Sequence, residues 1–451
     1  MTEKILSPRW VTDKFILIML AVFPLFTGFS GYSNITLSKY LFFVIVTLIW
    51  LVFLAAGILK AGEAPRLCAG GAAVIALMAI ACASALFSPY GAVTLIGAGR
   101  YDGLVSLLLY GAIFIGVSAY GRPLPRYAAA LGLSLGLCCL VAVFQLCGAN
   151  TLKLFSGGLN YYDKGVAYSA EFLGTIGNVD VLAALLCLAV PILFGAFACK
   201  GGKYSWLYLV PAALGLFTAL KSGVASAKLG LAAGIIVGGL ILINKDRLRR
   251  LSLCAVIIAA VIAISGFTRF YDGGVKLGCA PEEVRQSHSG TMYEIKEILS
   301  GNIDDSFGSG RIGIWRQLLE KYPDRPILGG GPGTVSERVE INFQRFVPET
   351  GRTLKTRVDN AHNEFLGYLM DLGALGFLAY LALVVTTLLL FIKRRNSQTS
   401  YLGCGLMGYC VQSFFGLGLC LVLPVVWLCW GLFWSGYLEE NHGRSNLQKT
   451  S

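Results

Sequence analysis

His362 is the residue of this chain best suited to move a proton. An imidazole titrates near neutral pH and can act as a general base. Of the three histidines, His442 lies near the C-terminal end and His288 lies in a polar stretch, whereas His362 immediately precedes a long apolar segment. An interfacial histidine can also make only a capping hydrogen bond, so position alone leaves both roles open.

The stretch RIGIWRQLLEK begins with an arginine that is a candidate for binding an anion. Its pattern predicts a short amphipathic helix over Arg311–Lys321 with Ser309 as its N-cap. Trp315, Leu318 and Leu319 fall on one face at helical spacing. A cation at a helix N-terminus opposes the helix dipole, and the arrangement becomes favourable when an anion binds beside it. A solvated surface arginine is the alternative interpretation.

Two lysines and one aspartate lie at positions that also allow two interpretations. Lys221 and Lys228 flank a short connection between apolar segments, LKSGVASAKLG, where each could contact a phosphate or extend harmlessly to the interface. Asp371 lies inside an apolar segment, where a carboxylate marks either a pathway or a structural hydrogen bond to a neighbouring helix.

Metal and nucleotide sites have no support in the sequence. There is no zinc motif, and no Cys/His cluster has metal-ligand spacing. The glycine run at 329–331 lacks the Gly-Lys-Ser/Thr ending of a nucleotide P-loop. We therefore expect chemistry that uses no metal and no cofactor.

These residues are embedded in a chain with the composition of a membrane protein. It has 451 residues, mean hydropathy +0.68, 56% hydrophobic residues and only 14% charged residues, against about 25% charged in soluble domains. The apolar segments predict an all-α polytopic fold with about twelve spans of about 20 residues each. The predicted spans are 15–30, 40–59, 68–88, 104–120, 127–148, 180–198, 205–220, 229–243, 251–267, 365–392, 402–420 and 422–438.

The positive charges predict the orientation of these spans. With a cytoplasmic N-terminus, the short inner segments and both tails hold eighteen Lys and Arg residues, whereas the short outer connections hold six. This asymmetry favours both termini inside. The net charge is +12, but the positive residues lie in the connections between apolar segments and form no basic stripe. Nucleic-acid binding is therefore excluded.

The long polar segment 268–361 then becomes a large external loop between the ninth and tenth spans. It divides the chain into membrane helices at 1–267, the loop at 268–361, and further membrane helices with a cytoplasmic tail at 362–451. A loop this long is usually functional. In the helix after it, eleven residues at about 100° each bring Gly373 nearly under His362, which predicts a face that another helix approaches closely.

Three segments together resemble the O-antigen ligase and O-antigen polymerase family of bacterial envelope enzymes. The first is His362-Asn363, nine residues, then Gly373 and Gly376, similar to the pattern His-Asn/Ser/Gln-x9-Gly-x-x-Gly. The second is Arg311…Trp315…Pro326-Ile-Leu-Gly329-Gly-Gly331-Pro-Gly333. The third is Gly174-Thr-Ile-Gly-Asn178-Val-Asp180, and Arg100-Tyr-Asp-Gly103 resembles a further recurring piece.

The resemblance implies a GT-C-like, multi-pass glycosyltransferase of the bacterial cytoplasmic (inner) membrane that acts in polysaccharide biosynthesis of the cell envelope. Its donor would be a glycan on undecaprenyl diphosphate, and its acceptor a hydroxyl of a glycan, lipid or polymer on the outer face. His362 would be the base and Arg311 a diphosphate contact. The matching motifs make Asn363, Trp315 and Arg100 candidates for binding substrate, as Asp371 is from its position.

The second cation of the family corresponds to a lysine here. Family members usually have an arginine in a Ser-Arg-like sequence at the outer end of a central span, and Ser226-Ala227-Lys228 occupies that place. Lysine keeps the charge but loses the bidentate fork. Lys228 is therefore the expected second catalytic cation, with Lys221 as the other candidate.

The expected chemistry is inverting and metal-independent. A diphosphate is already a good leaving group and needs fixed positive charge, while the acceptor hydroxyl needs a base. A transporter or flippase of lipid-linked glycans is the main alternative, and a structural scaffold or a shape-and-division type polymerase are others. The sequence does not decide between a ligase and a polymerase, and it does not identify the sugar or the acceptor.

Overall fold

The computed structural model describes residues 7–62, 64–155, 160–163, 166–169, 173–271, 274–277, 307–347 and 352–450. In chain order the helices are α1 (Pro8–Ala21), α2 (Ile35–Ala61), α3 (Ala69–Leu86), α4 (Val93–Ile96), α5 (Leu104–Tyr120), α6 (Pro125–Leu146), α7 (Val179–Lys200), α8 (Leu209–Lys221), α9 (Ala225–Leu242, π-helical over Ala232–Val237), α10 (Leu248–Phe267), α11 (Phe307–Lys321), α12 (Val335–Arg338), α13 (Glu364–Lys393), α14 (Tyr401–Phe414) and α15 (Leu423–Thr450).

Short antiparallel hairpins occur in the connections between these helices. They pair β1 (Asn160–Asp163) with β2 (Val166–Ser169), β3 (Thr268–Tyr271) with β4 (Gly274–Leu277), and β5 (Ile341–Val347) with β6 (Arg352–Val358). In the last hairpin the register runs from Ile341 opposite Val358 to Val347 opposite Arg352. β6 ends directly before the segment that carries His362.

Within the described ranges, seven helices are long and apolar enough to cross a membrane, namely α2, α3, α6, α7, α9, α10 and α13. α5 and the Ser205–Lys221 helix that contains α8 are apolar but shorter. The polytopic helical membrane fold expected from the sequence is therefore confirmed. The count of twelve spans and the placement of the external loop stay predictions.

The predicted first span is interrupted by a proline. α1 ends at Ala21 and a 3-10 turn follows at Phe23–Leu25, which contains Pro24. The buried ammonium of Lys39 donates to the backbone oxygens of Phe23 and Pro24 at 2.9 and 3.1 Å. Carbonyls left without helical partners must be satisfied inside a membrane, and Lys39 does this here.

α7 forms the centre of the bundle. Between Val181 and Cys199 it is apolar on every side and buried, as expected for a helix surrounded by other helices. α14 approaches it closely at glycines, because a Cβ on Gly405 would lie 2.2 Å from the oxygen of Leu188 and one on Gly408 would lie 2.4 Å from that of Cys187.

The loop helix α11 differs from its prediction in two details. It begins at Phe307, so Ser309 lies within its first turn rather than before it, and Arg311 follows that turn. Ile314 and Leu318 form its buried face, whereas Leu319 is 49% exposed. The N-cap and the place of Leu319 were therefore predicted wrongly, and Arg311 is not at the helix N-terminus.

Candidate active site

The helix that follows His362 is interrupted at Gly373, and a loop fills the interruption. Gly373 has φ 66° and ψ −168°, so neighbouring backbone groups lose their helical partners. The glycine-rich loop at 326–331 replaces them. The hydrogen bonds run from Gly330 N–H to Met370 O (3.1 Å), Gly331 N–H to Asp371 O (2.9 Å), Ala374 N–H to Pro326 O (2.8 Å) and Leu375 N–H to Ile327 O (3.3 Å).

Glycine is required on both sides of this junction between loop and helix. A Cβ on Gly373 would lie 2.3 Å from the carbonyl group of Ile327, and one on Gly329 would lie 2.4 Å from the backbone of Asp371. Both glycines also have positive φ, which glycine alone adopts readily. The structure corrects the prediction of a helix-packing face, because the segment that approaches Gly373 is a loop.

Asp371 binds the same loop with its side chain. Its Oδ2 accepts a hydrogen bond from the N–H of Gly333 at 2.9 Å, and its backbone oxygen accepts one from the Ser84 hydroxyl at 2.9 Å. Its Oδ1 is buried and has no hydrogen-bond partner among the described residues. The partner of this carboxylate is thus a loop and not the neighbouring helix that one of the two interpretations of the sequence allowed.

Two long-range contacts hold the segment that carries His362. The guanidinium of Arg100 donates to both carboxylate oxygens of Asp359, at 2.6 and 2.7 Å. The indole N–H of Trp315 donates to the backbone oxygen of Ala361 at 3.0 Å. The connection before α5 and the loop helix α11 therefore position the histidine together.

The backbone at His362 is in an uncommon conformation. Its φ is 45°, which few residues with a Cβ adopt. Its N–H donates to Oδ1 of Asn360 at 2.9 Å. The next residue, Asn363, caps α13 by accepting a hydrogen bond from the N–H of Leu366 at 3.0 Å. Such strain persists where the surroundings impose it, and it is frequent at functional sites.

The environment of His362 keeps its imidazole neutral. Burial lowers the pKa of His362 to about 4, while the charge of Asp180 raises this pKa and that of Arg311 lowers it. Arg100 also lowers the pKa of His362 and Asp359 also raises it, both with smaller effects. At neutral pH the imidazole is therefore unprotonated and able to accept a proton. Arg311 and Arg100, both predicted from the sequence, thus lie close enough to act on it.

His362 lines a cleft at the ends of several helices. The cleft contains about 820 Å³ free of protein atoms, open solvent at its mouth included. Its described walls come from the connection before α5, the turn before α12, the start of α13 and the turn before α15. Four of the predicted site residues line it, namely His362, Arg100, Asn363 and Asp371.

The other predicted cations lie outside the described lining of this cleft. Arg311 is half-buried on α11, close to the histidine. The ammonium of Lys221 donates to the backbone oxygens of Ser265 and Thr268, and so links the ends of α8 and α10. Lys228 is half-buried near the start of α9.

Four acidic residues at the histidine or in its cleft were missed from the sequence, namely Asp102, Asp180, Asp359 and Glu364. Glu364 lines the cleft, and its carboxylate accepts hydrogen bonds from the hydroxyls of Tyr380, at 3.2 Å, and Tyr409. Asp180 and Asp359 act electrostatically on the histidine. Glu364 and Asp180 lie within recognised motifs, which was the available signal, but the partner of Asp359 is distant in sequence.

Comparison with known proteins finds a family match for the region that carries α11 and the start of α13. The family model for the O-antigen ligase matches residues 210–381, which include α11 and the junction at α13. A protein of Haemophilus influenzae strain Rd, described only as uncharacterized, is 21% identical over 261 residues, or 56% of this chain and 60% of that protein. The chain thus spans about 60% of that relative's length. The resemblance inferred from the sequence is confirmed over the matched residues 210–381.

Proposed function

We propose that this protein transfers a glycan from an undecaprenyl-diphosphate-linked donor to an acceptor hydroxyl on the outer face of the bacterial cytoplasmic membrane. Both chain termini would lie in the cytoplasm. The observation that carries the proposal is the neutral, half-buried imidazole of His362 at the cleft, with Arg311 close by. The O-antigen ligase match supports glycan transfer in general.

The reaction is a single displacement at the anomeric carbon of the donor sugar. The acceptor oxygen forms a bond to this carbon from the face opposite the diphosphate, and the carbon–oxygen bond to the diphosphate breaks. The bonding pair leaves with the diphosphate, and the acceptor proton passes to His362. Inversion of the anomeric configuration follows from this geometry.

Fixed positive charge stabilises the departing diphosphate. Arg311 is the primary candidate because it acts on His362 electrostatically, and a guanidinium can bind phosphate oxygens in pairs. Lys228 is the second candidate, at the start of a neighbouring helix. Their charges make a protonating acid unnecessary for the leaving group, and no metal is assigned a role.

Donor binding would also tune the base. A pKa of about 4 keeps His362 neutral, yet makes it a weak base at neutral pH. A bound diphosphate brings negative charge close to the imidazole and so raises its pKa. His362 would thus become an effective base only when the donor is in place.

The test uses protein in nanodiscs with EDTA, an α-linked undecaprenyl diphosphate oligosaccharide and hydroxyl acceptors. We expect free undecaprenyl diphosphate together with an enlarged acceptor, whose new linkage is β by NMR. A retained α-linkage would overturn the single displacement, and a requirement for added metal would overturn the metal-free mechanism. Absence of release with every acceptor would overturn the transferase.

Arg311→Ala is expected to lower the efficiency of donor turnover by about 10²–10³-fold, because one fixed charge at the leaving group is lost. Arg311→Lys should recover part of the activity, since lysine keeps the charge without the fork. Steady-state carrier release checks both. Arg316→Ala, on the exposed side of the same helix, is the matched control and should change little; equal losses in both variants would contradict the assignment.

The pH profile should report His362 directly. Protonation removes the base, so activity falls as the pH falls through the pKa of His362, near 4 in the free enzyme and higher with donor bound. Asp180 raises this pKa, so Asp180→Asn should move the acidic limb to lower pH. Asp13→Asn, at an ion pair with Arg126 elsewhere in the fold, should leave the limb in place. An unmoved limb in Asp180→Asn would contradict the assignment of His362.

A further inference from the structure

The cleft beside His362 is lined by carboxylates drawn from separate parts of the chain. These are Asp102 before α5, Asp359 after β6, and Glu364 and Asp371 on α13. The only arginine or lysine in the described lining is Arg100. Its guanidinium binds both oxygens of Asp359, so the pair contributes no net positive charge to the cleft.

One of these carboxylates presents an unsatisfied oxygen. Asp371 binds Gly333 through Oδ2, while its buried Oδ1 has no hydrogen-bond partner among the described residues. A buried polar atom without a partner is unfavourable and rare in native structures. A ligand hydroxyl that donates to this oxygen would satisfy it.

Glu364 provides a second fixed carboxylate next to the proton acceptor. Tyr380 and Tyr409 donate to it from behind, which holds the side chain in place at the start of α13. Carboxyl groups fixed in this way accept hydrogen bonds from sugar hydroxyls and offer no positive charge to an anion.

The distribution of charged residues indicates that the donor diphosphate and the acceptor bind at different places. A diphosphate needs cations, and the candidates Arg311 and Lys228 lie outside the described lining of the cleft. We infer that the carboxylate-lined cleft is the acceptor subsite and that it selects a neutral glycan end, bound through its hydroxyls, over an acceptor that carries phosphate or uronate at that end. The inference rests on the proposed transfer and names its acceptor class.

The experiment compares three acceptors that differ in one terminal residue: a neutral hexose, the corresponding uronate, and the hexose phosphate. Transfer to each is measured with the full-length protein in nanodiscs and one lipid-linked donor. We expect kcat/KM at least about tenfold higher for the neutral acceptor than for either anionic acceptor. Equal or better use of an anionic acceptor would overturn the inference and leave the transferase standing.

Variants connect the selectivity to the cleft. Glu364→Gln and Asp371→Asn each replace a carboxyl group with an amide of similar shape, which can donate to an anionic group, and each should reduce the preference for the neutral acceptor several-fold. Asp246→Asn, remote from the cleft lining, should keep the wild-type ratio, and an unchanged ratio in both cleft variants would overturn the inference. If both variants fail to fold, the ratio of kcat/KM for the neutral and anionic acceptors in the wild-type protein alone tests the inference. No carrier release with any acceptor would instead reject the proposed function itself.

Discussion

His362→Asn should reduce glycan transfer by about 10²–10⁴-fold, the usual contribution of a positioned general base. The asparagine variant is preferred to alanine because His362 has φ 45°, and asparagine tolerates this region better than most residues. The change therefore removes the base while disturbing the backbone little. Steady-state release of undecaprenyl diphosphate measures the loss.

Binding and folding controls separate loss of the base from loss of the site. Donor affinity of His362→Asn should stay within a few-fold of wild type, because Arg311 and Lys228 are unchanged. His442→Ala, in the last helix beyond the apolar core, serves as the matched histidine control and should transfer normally. Transfer at more than about a tenth of the wild-type rate in His362→Asn would show that another group takes the proton.

Gly373→Ala should abolish activity by breaking the junction between loop and helix. The new Cβ would lie 2.3 Å from the carbonyl group of Ile327, and the backbone conformation at φ 66° and ψ −168° is available almost only to glycine. Strain of about 1–3 kcal/mol and overpacking of about 1–3 kcal/mol are expected. The loop would detach from α13, and the segment that carries His362 would no longer be held in position.

Thermal unfolding of the purified protein and carrier release measure this effect together. Gly239→Ala is the matched control, since it adds the same methyl group to a helical glycine with no atom within 4 Å of the new position. It should keep wild-type stability, or gain slightly from better helix propensity. If Gly373→Ala unfolds at the same temperature as Gly239→Ala and remains active, the junction is not a structural requirement.

Local patterns predicted which residues line the cleft better than which residues they contact. The spacing from His362 to Gly373 marked both residues, but the helical-wheel argument assumed a continuous helix and so predicted the wrong neighbour for Gly373. A backbone loop that replaces helical hydrogen bonds leaves no periodic signal. The same limit applies to the pair of Arg100 and Asp359, which are 259 positions apart.

The predicted spans differ from the helices where one residue interrupts a periodic segment. The first helix ends just before Pro24, although the apolar segment continues beyond it. Lys221 illustrates a second limit, because it was the other candidate for the second cation, while the structure gives it two backbone oxygens at the end of α10. Charge placement predicts which end of a helix a cation occupies, whereas its partner depends on packing.

The most direct test of glycan transfer follows both possible fates of one donor in proteoliposomes. A lipid-linked oligosaccharide labelled in the sugar is supplied with acceptor, and free undecaprenyl diphosphate, labelled acceptor and donor that has crossed the membrane are all measured. We predict carrier release equal to acceptor labelling, and neither product with His362→Asn. Intact donor that crosses the membrane only when the protein is present, with no carrier released, would contradict the transferase and identify a flippase.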